Sequence, residues 1–282
     1  MWLWLAIGSA LFLGLYDVAK KQSLTKNSVM MILLVTTALS TLFMIPFFSK
    51  GPLTDHLYLV LKAAMVSSSW IAGLYGIKYL PITTASTIKA SRPMFVVLFS
   101  ILIFGERLNG YQWIGVVLVL LSMLLLSFSS KKEGIHFTRD KGVLYMVIAV
   151  FSGVASALLD KHILSWMEPL FVQSWCNLYI TLIMAIVTLY MWLRQKESFQ
   201  GLKWDWLLLV IAVFITISDF MYFSAVHSEG ALLAVVSLLR RCNVILTFVC
   251  GAILFKEKNL KAKSLDLAIL IAGMVFLVLG SQ

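Results

Sequence analysis

ASTIKASRPMFVVLFSILIFGERL (85–108) and AVVSLLRRCNVILTFVCGAILFKEKN (234–259) decide the fold. Each is an apolar run of bilayer-crossing length, about 20 residues. Each carries two cations within that run, Lys89 and Arg92 in the first, Arg240 and Arg241 in the second. Each closes on a short charged turn, Phe104-Gly105-Glu106-Arg107-Leu108 and Phe255-Lys256-Glu257-Lys258-Asn259. A membrane helix carrying cations at a costly depth has been written twice.

The likeness extends outward. The two turns are offset by 151 residues, YGIKYLPITTAS (75–86) matches YFSAVHSEGALL (222–233) at 147, and Lys21 and Leu24 fall opposite Lys161 and Leu164 at 140. The growth from 147 to 151 makes the ninth span about one helical turn longer than the fourth. Apolar runs predict ten spans, at 2–19, 29–48, 57–77, 83–104, 111–129, 142–159, 170–193, 204–225, 231–254 and 264–281. The long polar connection SKKEGIHFTRDK (130–141) divides them into five and five. The expected organisation is a first repeat at 1–130, a cytoplasmic loop at 131–141 and a second repeat at 142–282. Five is odd, so the second repeat enters the membrane reversed. The fold class is an all-α integral membrane protein built as two inverted five-helix repeats, with a site between them near the midplane.

Composition agrees. Of 282 residues 61% are hydrophobic and 13% charged, against roughly 25% charged in a soluble domain. That excludes a soluble globular enzyme and a disordered chain. The net charge of +10 is interspersed with apolar runs, so it reads as a topology signal and not as a nucleic-acid surface. Met1 to Ala19 is longer than a signal-peptide core, and its basic residues Lys20 and Lys21 follow it, so it reads as the first span. Cys176, Cys242 and Cys250 lie inside apolar runs as packing residues. Loops after spans 1, 3, 5, 7 and 9 (side B) carry fifteen Lys and Arg; side A carries Lys50, Lys62, Arg107 and Lys161. Side B is therefore expected in the cytoplasm and both termini outside, in an inner or plasma membrane.

Four cations remain inside spans: Lys89, Arg92, Arg240 and Arg241. A charge at the bilayer centre costs at least about 2.5–3.5 kcal/mol. Arg92 and Arg240 are each the tenth residue of their span, roughly 14 Å deep. Lys89 and Arg92 share a helix face, as do Ser237, Arg240 and Asn243. Pro93 is expected to kink span four beside Arg92. Asp219 is the intramembrane counter-charge, with Arg240 or Arg241 its expected partner; Asp17 can pair with Lys21, and Asp160 adjoins Lys161. Asp219 and Tyr222 share a face, and Tyr75 and Tyr222 occupy equivalent repeat positions. His227 and Glu229 read as a solvated loop. The cations exceed the carboxylates, so the cavity favours an anion, and arginine's planar fork suits carboxylate and phosphate. The competing reading is a buried ion pair that orders helices.

Ten spans, two five-helix repeats and the Gly105-Glu106-Arg107-Leu108 turn resemble the drug/metabolite transporter superfamily, EamA type. The second copy departs from that turn with Lys256-Glu257-Lys258-Asn259. The resemblance covers roughly residues 5–280. It implies transport of small metabolites through a cavity lined by the third, fourth, eighth and ninth spans. Arg240-Arg241 is similar to the Lys-Arg pair with which the phosphate-translocator branch holds phosphate. Many relatives are thought to keep both termini in the cytoplasm; the charge count here points the other way.

The expected function is secondary active transport of a small organic anion or phosphorylated compound by alternating access. The expected substrate-binding residues are Arg92, Arg240, Arg241, Lys89, Tyr75, Tyr222, Asp219 and Asn243. The partners are the small-molecule substrate, the lipid bilayer and a proton or counter-substrate, with the protein a monomer or homodimer and no nucleic acid. No cofactor, metal or catalytic residue is expected. Alternatives are export of amino acids or other zwitterions, in which Asp219 binds the amine, and a membrane enzyme acting on lipid phosphates.

Overall fold

The computed structural model describes residues 1–23, 27–79, 88–89, 91–128, 141–194, 205–243, 245–246, 250 and 260–281. Among them are ten α-helices: α1 (Trp2–Ser23), α2 (Val29–Phe43), α3 (Leu53–Tyr79), α4 (Arg92–Phe104), α5 (Gly110–Phe128), α6 (Lys141–Ile163), α7 (Pro169–Arg194), α8 (Trp206–His227), α9 (Leu233–Arg240) and α10 (Leu260–Leu279). Four of them, α1, α6, α7 and α8, contain stretches long and apolar enough by themselves to cross a bilayer. The expected second span, 29–48, ends earlier as a helix: Pro46 lacks an N–H, and Ile45–Phe47 forms a single 3₁₀ turn.

The bundle is apolar outside. Leu102, Val117, Ile186 and Trp206 are exposed, while Ser100, Gln173 and Ser218 are buried. That distribution suits lipid as the surrounding solvent, with polar groups satisfied internally.

The most extensive helix contacts follow a pattern that exchanging the two halves leaves unchanged. α1 packs on α8 as α6 packs on α3, α2 on α8 as α7 on α3, and α1 on α9 as α6 on α4; α2·α7, α4·α9 and α5·α10 pair equivalent helices. Hydroxyl bonds repeat the pattern. Ser218 Oγ donates to Ser9 O at 2.9 Å across α1·α8, and Ser69 Oγ donates to Ala149 O at 2.6 Å across α3·α6. Thr41 of α2 and Thr181 of α7, 140 positions apart, touch through their hydroxyls at 3.1 Å. Such contacts let small residues bring helix backbones close without a hydrophobic driving force.

Side A is tied across the two halves. Gly105, with φ +63°, ends α4 in the left-handed region that favours glycine, and turns the chain towards Glu106. The buried Glu106 carboxylate accepts from the amides of Leu233 at 2.6 Å and Ala234 at 3.0 Å, the first turn of α9. Lys161 Nζ donates to Ala231 O, and His227 Nδ1 donates to Leu164 O at 2.6 Å. Asn109 and Gln112 bond reciprocally at the start of α5, and Gln112 Nε2 reaches Ser281 Oγ at 3.0 Å. Trp175 Nε1 donates to Ser49 O at 3.0 Å, and His56 Nδ1 meets Tyr179 OH at 2.9 Å.

Candidate functional site

The cation-bearing spans are interrupted where the cations sit. Span four was expected unbroken from 83 to 104, but α4 begins at Arg92 with Pro93 in its first turn. Proline supplies no amide, so it interrupts a helix interior but is tolerated in a first turn, which is where α4 carries it. The Ser91 amide and Oγ both donate to the Ile88 carbonyl, at 3.1 and 2.6 Å. Span nine was expected from 231 to 254, but α9 ends at Arg240. The amides of Arg241 and Cys242 bond three residues back, to Leu238 O and Leu239 O at 3.0 Å each, tightening the chain. The two breaks occupy corresponding places in the two halves. Thr87, Thr247 and residues 251–259 lie outside the described residues.

Arg240 Nη2 forms an ion pair with Asp219 Oδ1, the partner expected for that carboxylate. The two side chains keep 19% and 26% of their accessibility, so this pair is within reach of a ligand. The Arg240 guanidinium lies 4.2 Å from the centroid of the Tyr222 ring, a cation–π contact that orients it. Tyr222 is buried, and its hydroxyl donates to Asp160 Oδ2 at 3.5 Å.

Asp160 is where the structure corrects the sequence. Instead of drawing on its neighbour Lys161, it pairs with Lys62 of α3, both side chains at most 5% exposed. Lys62 was counted among the side A loop cations. It stands ten residues into α3, roughly 14 Å along the helix axis, with its ammonium 5.0 Å from the Phe223 ring centroid. Lys161 bonds to Ala231. The sequence did carry a signal, because Lys62 falls inside the apolar run 57–77.

Arg92 is held differently. Its Nη2 donates to the carbonyl of Gly153 in α6 at 2.6 Å. A Cβ on Gly153 would lie 2.6 Å from Arg92 Cζ, so only glycine lets α6 accept the guanidinium this closely. Arg92 lies within electrostatic reach of Arg240, Tyr222 and Asp160, and Arg241 within reach of Arg92, Arg240 and Asp17. Lys89 is exposed and lies within electrostatic reach of Arg241, Lys20, Arg92 and Asp17. Asn243 Nδ2 donates to Asp17 Oδ2 at 2.6 Å, so α1 is joined to the chain just after α9. That bond occupies the carboxylate expected to face Lys21, whose side chain lies outside the described residues.

Of the eight expected site residues, the structure gathers Arg92, Arg240, Arg241, Lys89, Tyr222, Asp219 and Asn243 into one connected set of charges and hydrogen bonds. Tyr75 stands apart. Its ring stacks on Tyr145 of α6, centroids 5.5 Å apart, and Tyr79 stacks on the same ring at 5.9 Å. The expected equivalence of Tyr75 and Tyr222 does not extend to their surroundings. His227 and Glu229 are both exposed, but only Glu229 lies in the loop: His227 is the last residue of α8 and is tied to Leu164 O. Among the described residues, a separate cleft of about 270 Å³ between α4 and α6 is lined by apolar side chains such as Phe95, Val147 and Phe151. It does not coincide with the charges.

Comparison with known proteins bears on this arrangement. The model of the EamA-like transporter family matches residues 1–128 and 140–279. A solved crystal structure superposes with a TM-score of 0.79 at 15% identity, covering 99% of this chain and 98% of the other. At that identity the likeness shows a shared fold. No curated protein matches the chain.

Proposed function

The chain belongs to the EamA-like transporter family, and from that premise we propose that it is a secondary active transporter of a small organic anion or phosphorylated metabolite. As a transporter of this family it is a multi-pass membrane protein acting on small molecules. In our reading the ten helices are ten spans arranged as two inverted repeats, 1–130 and 142–282, joined by a cytoplasmic loop at 131–141. The exchange-invariant helix pairing and the Thr41–Thr181 contact support a two-fold relation between the halves. Alternating access would proceed by rocking of the halves about the charged centre. Lys62 is buried in α3 and leaves the loop count, so the side A cations number three, Lys50, Arg107 and Lys161, against fifteen on side B. That bias supports a cytoplasmic side B and extracytoplasmic termini in an inner or plasma membrane.

One observation carries the anionic reading. Arg92 is positioned by a neutral carbonyl, Gly153 O, and so keeps its full charge for a ligand beside the accessible Arg240. Arginine's remaining donors suit a carboxylate or phosphate. Arg241, Lys89, Tyr222 and Asn243 complete the proposed site, with Asp219 holding Arg240 when the site is empty. A zwitterionic substrate is the second reading, because Arg240 and Asp219 offer both signs at one accessible point.

The test is uptake by purified protein in liposomes, offered labelled carboxylates, phosphate esters and amino acids. Arg92→Ala and Arg240→Ala should each lose tenfold to a hundredfold in apparent affinity, roughly the 1.5–3 kcal/mol of a charge-assisted hydrogen bond. Unimpaired transport by both variants would leave the ion pairs as purely structural. Transport confined to amino acids, and abolished by Asp219→Asn, would favour the zwitterion.

A further inference from the structure

We infer that the site selects a doubly charged anion over a singly charged one; this rests on the anionic reading above and specifies its charge. Five cations inside the expected spans are linked through neighbouring charges along the breaks of α4 and α9 and the facing helices: Lys62, Lys89, Arg92, Arg240 and Arg241. A sixth, Lys20 at the end of span one, bonds Tyr16 and reaches Asp17 and Lys89 from the boundary. Three carboxylates meet them: Asp17, Asp160 and Asp219. Every other Asp and Glu of the sequence lies beyond the expected spans or within three residues of a span end. Five against three leaves two positive charges over even with Lys20 set aside.

Geometry says which two. Asp160 is committed to Lys62 and Asp219 to Arg240. Asp17 bonds Asn243 and faces Lys20, Arg241 and Lys89, so it balances at most one of Arg241 and Lys89. Arg92 has a carbonyl as its hydrogen-bond acceptor and no carboxylate among the described residues. The surplus is thus Arg92 together with at least one charge shared by Arg241 and Lys89. Arg92 and Arg241 are near enough to repel each other. Both lie beside points where the backbone departs from a continuous helix, so the two charges come from two different chain segments.

A monoanion placed between them neutralises one charge and leaves the other uncompensated in a site walled by lipid-facing helices. A dianion neutralises both and removes their repulsion. Because Coulomb energy rises as the effective dielectric falls, the second ligand charge is worth more here than in water. Phosphate monoesters and dicarboxylates are the classes that carry it, and two planar guanidinium forks match two separate anionic oxygens.

The experiment uses full-length protein in nanodiscs at constant ionic strength and pH 7.5, read by tryptophan fluorescence and thermal shift. Matched probes differ by one charge: phenyl phosphate against methyl phenyl phosphate, glutarate against glutaramate, sulfate against methyl sulfate. At least one dianion should bind about tenfold or more tightly than its monoanionic match. Arg241→Gln should bring that ratio to within about threefold, and the charge-conserving Arg241→Lys should restore it. Arg92→Gln should lower it likewise. Equal binding of dianion and monoanion would overturn the charge rule while leaving the anionic reading intact. A preference that survives both Gln variants would overturn the assignment of the two cations. Binding of none of the six probes, in protein that melts cooperatively, would remove the anionic reading and this inference together.

Discussion

Lys62 of α3 and Asp160 of α6, 98 positions apart in the chain, form an ion pair that is all but closed to solvent. Tyr222 hangs from the same carboxylate and underlies Arg240, so the closed pair and the accessible Arg240–Asp219 pair are two ends of one run of contacts. The closed pair orders three helices, and the accessible pair is the end at which we propose that the ligand binds.

Removing one member of the closed pair strands the other. Lys62→Ala should destabilise the protein by about 3–5 kcal/mol, because it leaves a buried carboxylate without its counter-charge. Lys62→Met combined with Asp160→Leu should recover most of that loss. Chemical unfolding in detergent compares the two; a double variant as unstable as the single would show that the charges do not act on each other.

Gly153→Ala should mimic loss of Arg92. The added Cβ would stand 2.6 Å from Arg92 Cζ, and the flexible end of the arginine is what must move. Ligand affinity should fall about tenfold, the loss of one charge-assisted contact, with the melting temperature little changed. A Gly153→Ala protein binding as the parent does would mean that the carbonyl contact does not set the guanidinium's position.

Asp219→Asn separates positioning from packing. It removes the charge that restrains Arg240 but keeps the shape. A restraining role predicts a severalfold change in ligand affinity at nearly constant stability; a structural role predicts lower stability at constant affinity. Melting and binding measured on the same preparation distinguish them.

Glu106→Ala should cost about 0.5–2 kcal/mol, the range for loss of a helix N-cap, since two amides of α9 lose their acceptor. Glu106→Gln, which keeps one acceptor oxygen and loses the charge, should fall between the two. The check is the shift in thermal midpoint; a Glu106→Ala protein as stable as the parent would show that water replaces the cap.

Topology is tested at Gln282. A reporter fluorescent only in the cytoplasm, fused there, should stay dark if side B is cytoplasmic. Brightness would reverse the orientation and leave the internal geometry unaltered.

Much of this was legible in the sequence because membranes make burial simple to read. Long apolar runs mark the helices, and a charge such as Asp219 inside one must find an opposite charge nearby, which made an arginine of the ninth span its expected partner. The 140-residue offset aligns Thr41 with Thr181, which do meet. Lys62 and Asp160 escaped because each had a bland local explanation, a loop position for one and Lys161 for the other. Pairing between distant helices leaves no trace in local spacing. The breaks at Ser91 and Arg241 were half visible: Pro93 signalled the first, while nothing in Leu-Leu-Arg-Arg-Cys-Asn (238–243) departs from helical composition. Tyr75 was grouped with Tyr222 by repeat position alone, and a single facing residue, Tyr145, draws it elsewhere.

The Glu106 cap has a consequence for how the protein is made. Its carboxylate leaves the ribosome 127 positions before the Leu233 amide it will serve. Until the ninth helix is synthesised, the first half holds a carboxylate without its eventual amide donors, and that half cannot complete its own side A end. The repeats are therefore not two modules that finish folding in turn. A first half expressed alone should be held by membrane quality control, and co-expression of 1–130 with 142–282 as separate chains should rescue both, the second half arriving as the missing part of the first.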